Sequence, residues 1–96
     1  MNSVWADANV PRYRAADAPS VLMDAAGHNA TRGVFNRWRS EIAARQGVRL
    51  RHIDWSAVSP GSVWRLAEEQ FAAAGTAAST VDEYFLQWKR YVDSLR

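Results

Sequence analysis

His28, Arg32, Asn36 and Arg39 recur every three or four residues. At 100° per residue they fall within about 80° of arc on one helical face, provided the helix begins by His28. Histidine moves protons near neutral pH, and the arginine fork takes phosphate oxygens. The set can therefore hold a phosphate, with His28 as acid or base and Arg32 or Arg39 offsetting charge in the transition state. Asn29 and Asn36 add polar contacts to the same nucleic-acid reading. The competing reading of Gly27-His28-Asn29 is structural: a turn followed by a helix N-cap, with the arginines on a solvated edge.

The same residues raise the question of a divalent metal. Asp24 and His28 stand four apart, and His52 with Asp54 can supply further ligands from a connecting loop. Gly27 counts against helical geometry at Asp24, and Asp54 can equally cap a turn or pair with Arg49 or Arg51. The cofactor is therefore left unknown, a divalent metal being the candidate. A third group is "PRYR", residues 11 to 14. Arg12 and Arg14 on either side of Tyr13 suit a ring stacked on a base and two cations on phosphate, whereas a Tyr13 packed on the core is the alternative.

These groups need elements to position them. Residues 1–27 show no sustained period and are interrupted by Pro11 and Pro19, which predicts an irregular arm with at most one short turn. From Asn29 or Thr31 the pattern turns helical: Thr31, Phe35, Trp38 and Ile42 share one face, and Gly47 supplies a stop. Residues 48–58 alternate in polarity and read as a short extended connection or a lone strand. Ser59-Pro60 is a strong helix start, and the stripe through Val63, Leu66, Ala67, Phe71 and Ala74 runs to Gly75. Ser79 or Thr80 caps a last helix, whose stripe of Val81, Tyr84, Phe85, Trp88, Tyr91, Val92 and Leu95 is the clearest in the chain. The expectation is a single all-α domain: an arm over 1–27 and a helical body over 28–96, built as a small bundle of three main helices. Trp55, Trp64 and Trp88 are expected in its core.

A chain of 96 residues, 48% hydrophobic with five tryptophans, can bury a core, so disorder is excluded over most of its length. With no cysteine, disulfides, zinc knuckles and thiol catalysis are excluded. No apolar run approaches the roughly 20 residues that span a bilayer, and no signal-peptide layout is present, so no stable membrane association is expected. The net charge of +2 is unevenly placed: residues 31–60 carry six arginines against Glu41 and Asp54, a surplus of four, while each flank carries one excess acid. No Gly-rich phosphate loop, HExxH helix, nucleophile elbow or EF-hand pattern occurs.

Taken together, "GHNATRGVFNRWRSEIAARQGV", "HIDWSAVSPGSVWRLAEEQFAAAG" and "VDEYFLQWKRYVDSL" give the chain a family resemblance over nearly its whole length. It resembles the variable C-terminal toxin tips of bacterial polymorphic toxins, particularly those that follow Rhs-repeat shells. The shared features are an arm like "WADANVPRYR", an "HNAT" segment, an "IDW…VSP" connection and a closing aromatic helix. The resemblance implies an antibacterial toxin domain, secreted as part of a larger effector, acting in the target-cell cytoplasm and neutralised in its producer by a cognate immunity protein. Many such tips are nucleases, several of them His-Asn-His-like. Here only His28-Asn29 matches that pattern, and the β-hairpin that precedes its metal-binding helix is missing. Two functions follow: a nuclease acting on DNA or RNA of a competitor cell, or a non-catalytic Arg-rich module that binds nucleic acid or an acidic protein. Turnover separates them; charge does not.

Overall fold

The computed structural model describes residues 1–96 and is mainly α, as the periodicity predicts. Helix α1 spans Ser3–Asn9, α2 Ala25–Gln46, α3 Pro60–Ala74 and α4 Ala78–Ser94, with single 3₁₀ turns at Leu50–His52 and Trp55–Ala57. The connection 48–58 is therefore not a strand, and extended residues at Arg49, Ile53, Asp54 and Val58 flank its two 3₁₀ turns.

Helix α2 begins three residues before the earliest start expected from the sequence. Asp24 is its N-cap, with Oδ1 accepting from the Gly27 amide at 2.7 Å. Gly27-His28-Asn29 is not a turn but part of the opening helix. Gly27 is there for a packing reason: a Cβ would meet Asp24 Oδ1 at 3.2 Å, Met23 Cβ at 3.3 Å and Ala74 Cβ at 3.7 Å. Gly47, in the left-handed region at φ 68, closes the other end.

α2 and α3 run antiparallel, since the Gly27 end of α2 meets the Ala74 end of α3 and Gln70 Nε2 donates to the Thr31 carbonyl at 3.1 Å. Ser59 and Pro60 start α3 as expected, Ser59 Oγ accepting from the Ser62 amide. Leu66 and Val63 are the largest fully buried side chains, packed with Val34, Ile42, Ile53, Val58 and Trp88. α4 lies against α3 through stacked and edge-on rings, Trp64 on Phe85 at 4.1 Å between centroids and Phe71 against Tyr84 at 4.9 Å.

The N-terminal segment is more ordered than an irregular arm. α1 is capped by Asn2, and it buries Trp5 and Ala6 in the common core. The Trp5 indole N–H donates to the Val58 carbonyl at 2.8 Å, and Asn9 Nδ2 donates to the Trp55 carbonyl at 2.9 Å. A seven-residue helix is too short to hold itself. It exists because residues 55–58 receive it. Beyond it, Pro11 and Arg12 make a turn with Arg12 at φ 66, where the Tyr13 amide donates to the Val10 carbonyl.

One glycine has no such packing reason. Gly33 lies inside α2, exposed, with nothing within 4 Å of an added Cβ. Gly33→Ala is expected to stabilise the domain by about 0.5–1 kcal/mol, read as a higher urea midpoint at unchanged slope. A lower midpoint would show that this position is not ordinary helix.

Candidate functional site

Because α2 is helical from Ala25, His28, Arg32, Asn36 and Arg39 do share a face. His28, Arg32 and Asn36 are exposed and Arg39 is half-buried. Along the axis, at 1.5 Å per residue, the set divides. His28 and Arg32 are one turn apart, about 6 Å of rise, so both can address one phosphate. Arg39 lies about 16 Å beyond His28 and must address another. Its Nη2 meets Asn36 Oδ1 at 3.5 Å, and its guanidinium lies 5.4 Å over the Phe35 ring.

His28 stands at a cleft of about 220 Å³ that α2 shares with α3, α4 and the segment before α2. Ser20, Val21, Thr31, Gln70 and Tyr84 line it. Tyr84, only 6% exposed, also lines the adjoining cleft with Glu83 and Gln87. Gln70 and Tyr84 read in the sequence only as members of their helical stripes, and nothing joins them to Ser20, because three elements distant in the chain bring them together. Asn29 is helical and exposed beside His28. The backbone amides at the start of α2 are partly used: Asp24 accepts from the Gly27 N–H and adds a negative charge there.

"PRYR" occupies a different corner. The Arg14 amide donates to Tyr91 Oη at 2.9 Å, Arg12 Nη1 donates to the Leu95 carbonyl at 3.3 Å, and Arg14 Nε faces Asp17 Oδ2 at 3.7 Å. Tyr13 packs against Trp88 and Tyr91, and burial, then Tyr91 and Asp7, push its phenol upward from the ordinary tyrosine range. From Tyr84 to Leu95 α4 rises about 16 Å, so this group lies at the far end of α4 from the His28 cleft.

The tryptophans also divide. Trp88 is buried, as expected; Trp55 and Trp64 are half-buried, because each lies flat on another ring and keeps part of its surface outside. Trp55 stacks on Trp38 at 5.9 Å and 26°, and Trp38 neighbours Phe35 at 6.1 Å.

A family model described as an HNH/Endo VII superfamily toxin with a SHH signature matches residues 1–93, all but the last three residues. The chain belongs to the Tox-SHH family. No solved structure matches it. This Tox-SHH chain contains no consecutive Ser-His-His, its two histidines being His28 and His52.

The superfamily raises the question of a metal, and the donors of this Tox-SHH chain do not fit one. No three His, Cys, Asp or Glu side chains gather at any place. His52 and Asp54 follow the C-terminal end of α2, whose axis rises about 27 Å between His28 and Gln46, so they cannot join His28 and Asp24. Asp54 instead holds the connection in shape, since its Oδ1 caps Ser56 and its backbone is clasped by Gln46 at 2.8 and 3.0 Å.

Proposed function

We propose that this Tox-SHH domain is a nuclease whose working face is the exposed side of α2. What supports the reading is His28 at the mouth of a cleft with Arg32 one turn along the same face, in a member of a toxin family of the HNH/Endo VII superfamily. In this reading His28 takes the proton of the attacking oxygen as the new P–O bond forms and the P–O bond to the departing nucleotide oxygen breaks, that oxygen taking a proton from water. Arg32 offsets the charge that builds on the non-bridging oxygens. Arg39 and Asn36 hold a phosphate further along the strand, and Asn29 adds a polar contact near His28. Arg12, Tyr13 and Arg14 can meet the strand only if it continues across the molecule to the end of α4.

The partners of such a domain are its nucleic-acid substrate and an acidic immunity protein, which would cover the arginine face by charge complementarity. The carrier is a larger secreted effector of the Rhs type, and the site of action the cytoplasm of a competing cell. No helix of the chain is long and apolar enough to cross a membrane.

The test is direct. The purified domain is incubated with plasmid DNA and with total RNA, each with Mg²⁺ and with EDTA, and the products are resolved on gels. Cleavage of one substrate is the expected result, and the EDTA lanes read any requirement for an ion. Nucleic acid left intact in every lane would overturn the nuclease reading and favour a binding module.

A further inference from the structure

Four side chains form a continuous run along α2 and onto the 55–57 turn. The Arg39 guanidinium lies over Phe35, Phe35 is tilted against Trp38, and Trp38 is stacked on Trp55. All four are half-buried, so the run is anchored in the core and still open to solvent. The segment that supplies all four, residues 31–60, holds six arginines against Glu41 and Asp54, and Arg39 brings one of those charges into the run itself. Arg39 has unused capacity: its Nε–H is buried without an acceptor, and its Nη2 contact at 3.5 Å is at the limit of a hydrogen bond. A buried donor left unpaired is unfavourable, which favours a shift of the fork toward an incoming anion.

The half-buried pair of Trp64 and Phe85 makes a useful contrast. Trp64 on Phe85 shares its cleft with Glu68 and Asp82, and Lys89 already sits over the Trp64 ring at 5.8 Å. That ground is acidic and its cation is seated. The Trp38 run, by contrast, carries an arginine whose buried Nε–H has no acceptor.

We propose that Trp38 and Trp55 bind the unpaired bases of a nucleic-acid strand while Arg39 holds the adjoining phosphate, so that the substrate class is single-stranded or locally unpaired nucleic acid. Bases in a duplex have their faces covered by their neighbours and cannot add to this stack; unpaired bases can. Phe35 and Trp38 lie seven and ten residues past His28, about 10–15 Å along α2. At about 3.4 Å per stacked nucleotide, a base on Trp38 lies about four positions from a phosphate at His28. The inference rests on the nuclease reading for its meaning, but not for its test.

The test is equilibrium binding followed by tryptophan fluorescence, with an oligothymidylate of about twelve nucleotides and the corresponding thymidylate–adenylate duplex as probes. The expected result is quenching by the single strand, with an affinity at least about tenfold above that for the duplex. Trp38→Leu is expected to weaken single-strand binding about tenfold or more, circular dichroism confirming the fold. Arg39→Gln, less exposed to folding failure, is expected to weaken it and to reduce the slope of log affinity on log salt by about one. Equal affinity for duplex and single strand, or wild-type binding by both variants, would overturn the proposal. Because cleavage plays no part in the readout, selective single-strand binding without turnover would sink the nuclease reading alone. Duplex cleavage without single-strand preference would sink this one alone.

Discussion

Replacing His28 by alanine is expected to lower the rate of nucleic-acid cleavage by at least about 100-fold, the smaller end of what a positioned acid or base contributes. The substitution should leave the fold intact. His28 is exposed in the first turns of α2, alanine is the better helix former, and the cap that starts the helix is the Asp24 carboxylate. Helical circular dichroism and the unfolding midpoint should therefore match the parent, so that a lost rate is chemistry and not stability. Arg32→Ala should lower the rate less, because an arginine that offsets charge leaves the proton route in place. A folded His28→Ala protein with undiminished cleavage would remove His28 from the mechanism.

Leu66→Ala should do the reverse. Leu66 is 1% exposed at the centre of the larger core cluster, and truncating such a leucine costs about 2–5 kcal/mol. A domain of this length has a total stability of about 5–14 kcal/mol, so the loss is a large share of the whole. The melting temperature should fall by more than about 10 °C, while the molecules that remain folded keep their rate. A change below about 1 kcal/mol would mean that the surroundings of Leu66 collapse onto the space, and that the core is less rigid than its packing implies.

The two substitutions also mark what is legible in the sequence. The Leu66 stripe, like that of α4, repeats at the helical period between recognisable stops, and its burial is readable in one dimension. The start of α2 is not. Glycine before histidine and asparagine has the look of a turn, and only the close approach of the Asp24 cap and the Met23 side chain explains a glycine inside the helix. α1 is hidden for a related reason: its main support is a hydrogen bond from Trp5 to a carbonyl 53 residues away, which no local pattern can announce. The face carrying His28 and Arg32 is readable once a helical start by His28 is assumed. Its cleft is not, because Ser20, Gln70 and Tyr84 come from separate elements. Trp55 and Trp64 are misplaced by the pattern because apolar spacing reports which side a ring leans on, not how much of it stays outside.

The ties between the two ends of the chain have a consequence for how the molecule assembles and loosens. α2 and α3 are sequence neighbours that zip together across a short connection. Arg14 and Arg12, by contrast, bond groups toward the end of α4 that are 77 and 83 residues away. Pairings so remote close the largest loops and are made after the nearer ones. The α2–α3 hairpin is thus expected to form first, and the exposed ties of Arg12 and Arg14 to the end of α4 to dock last and release first, an order that native-state hydrogen exchange would read as the weakest protection at those two positions.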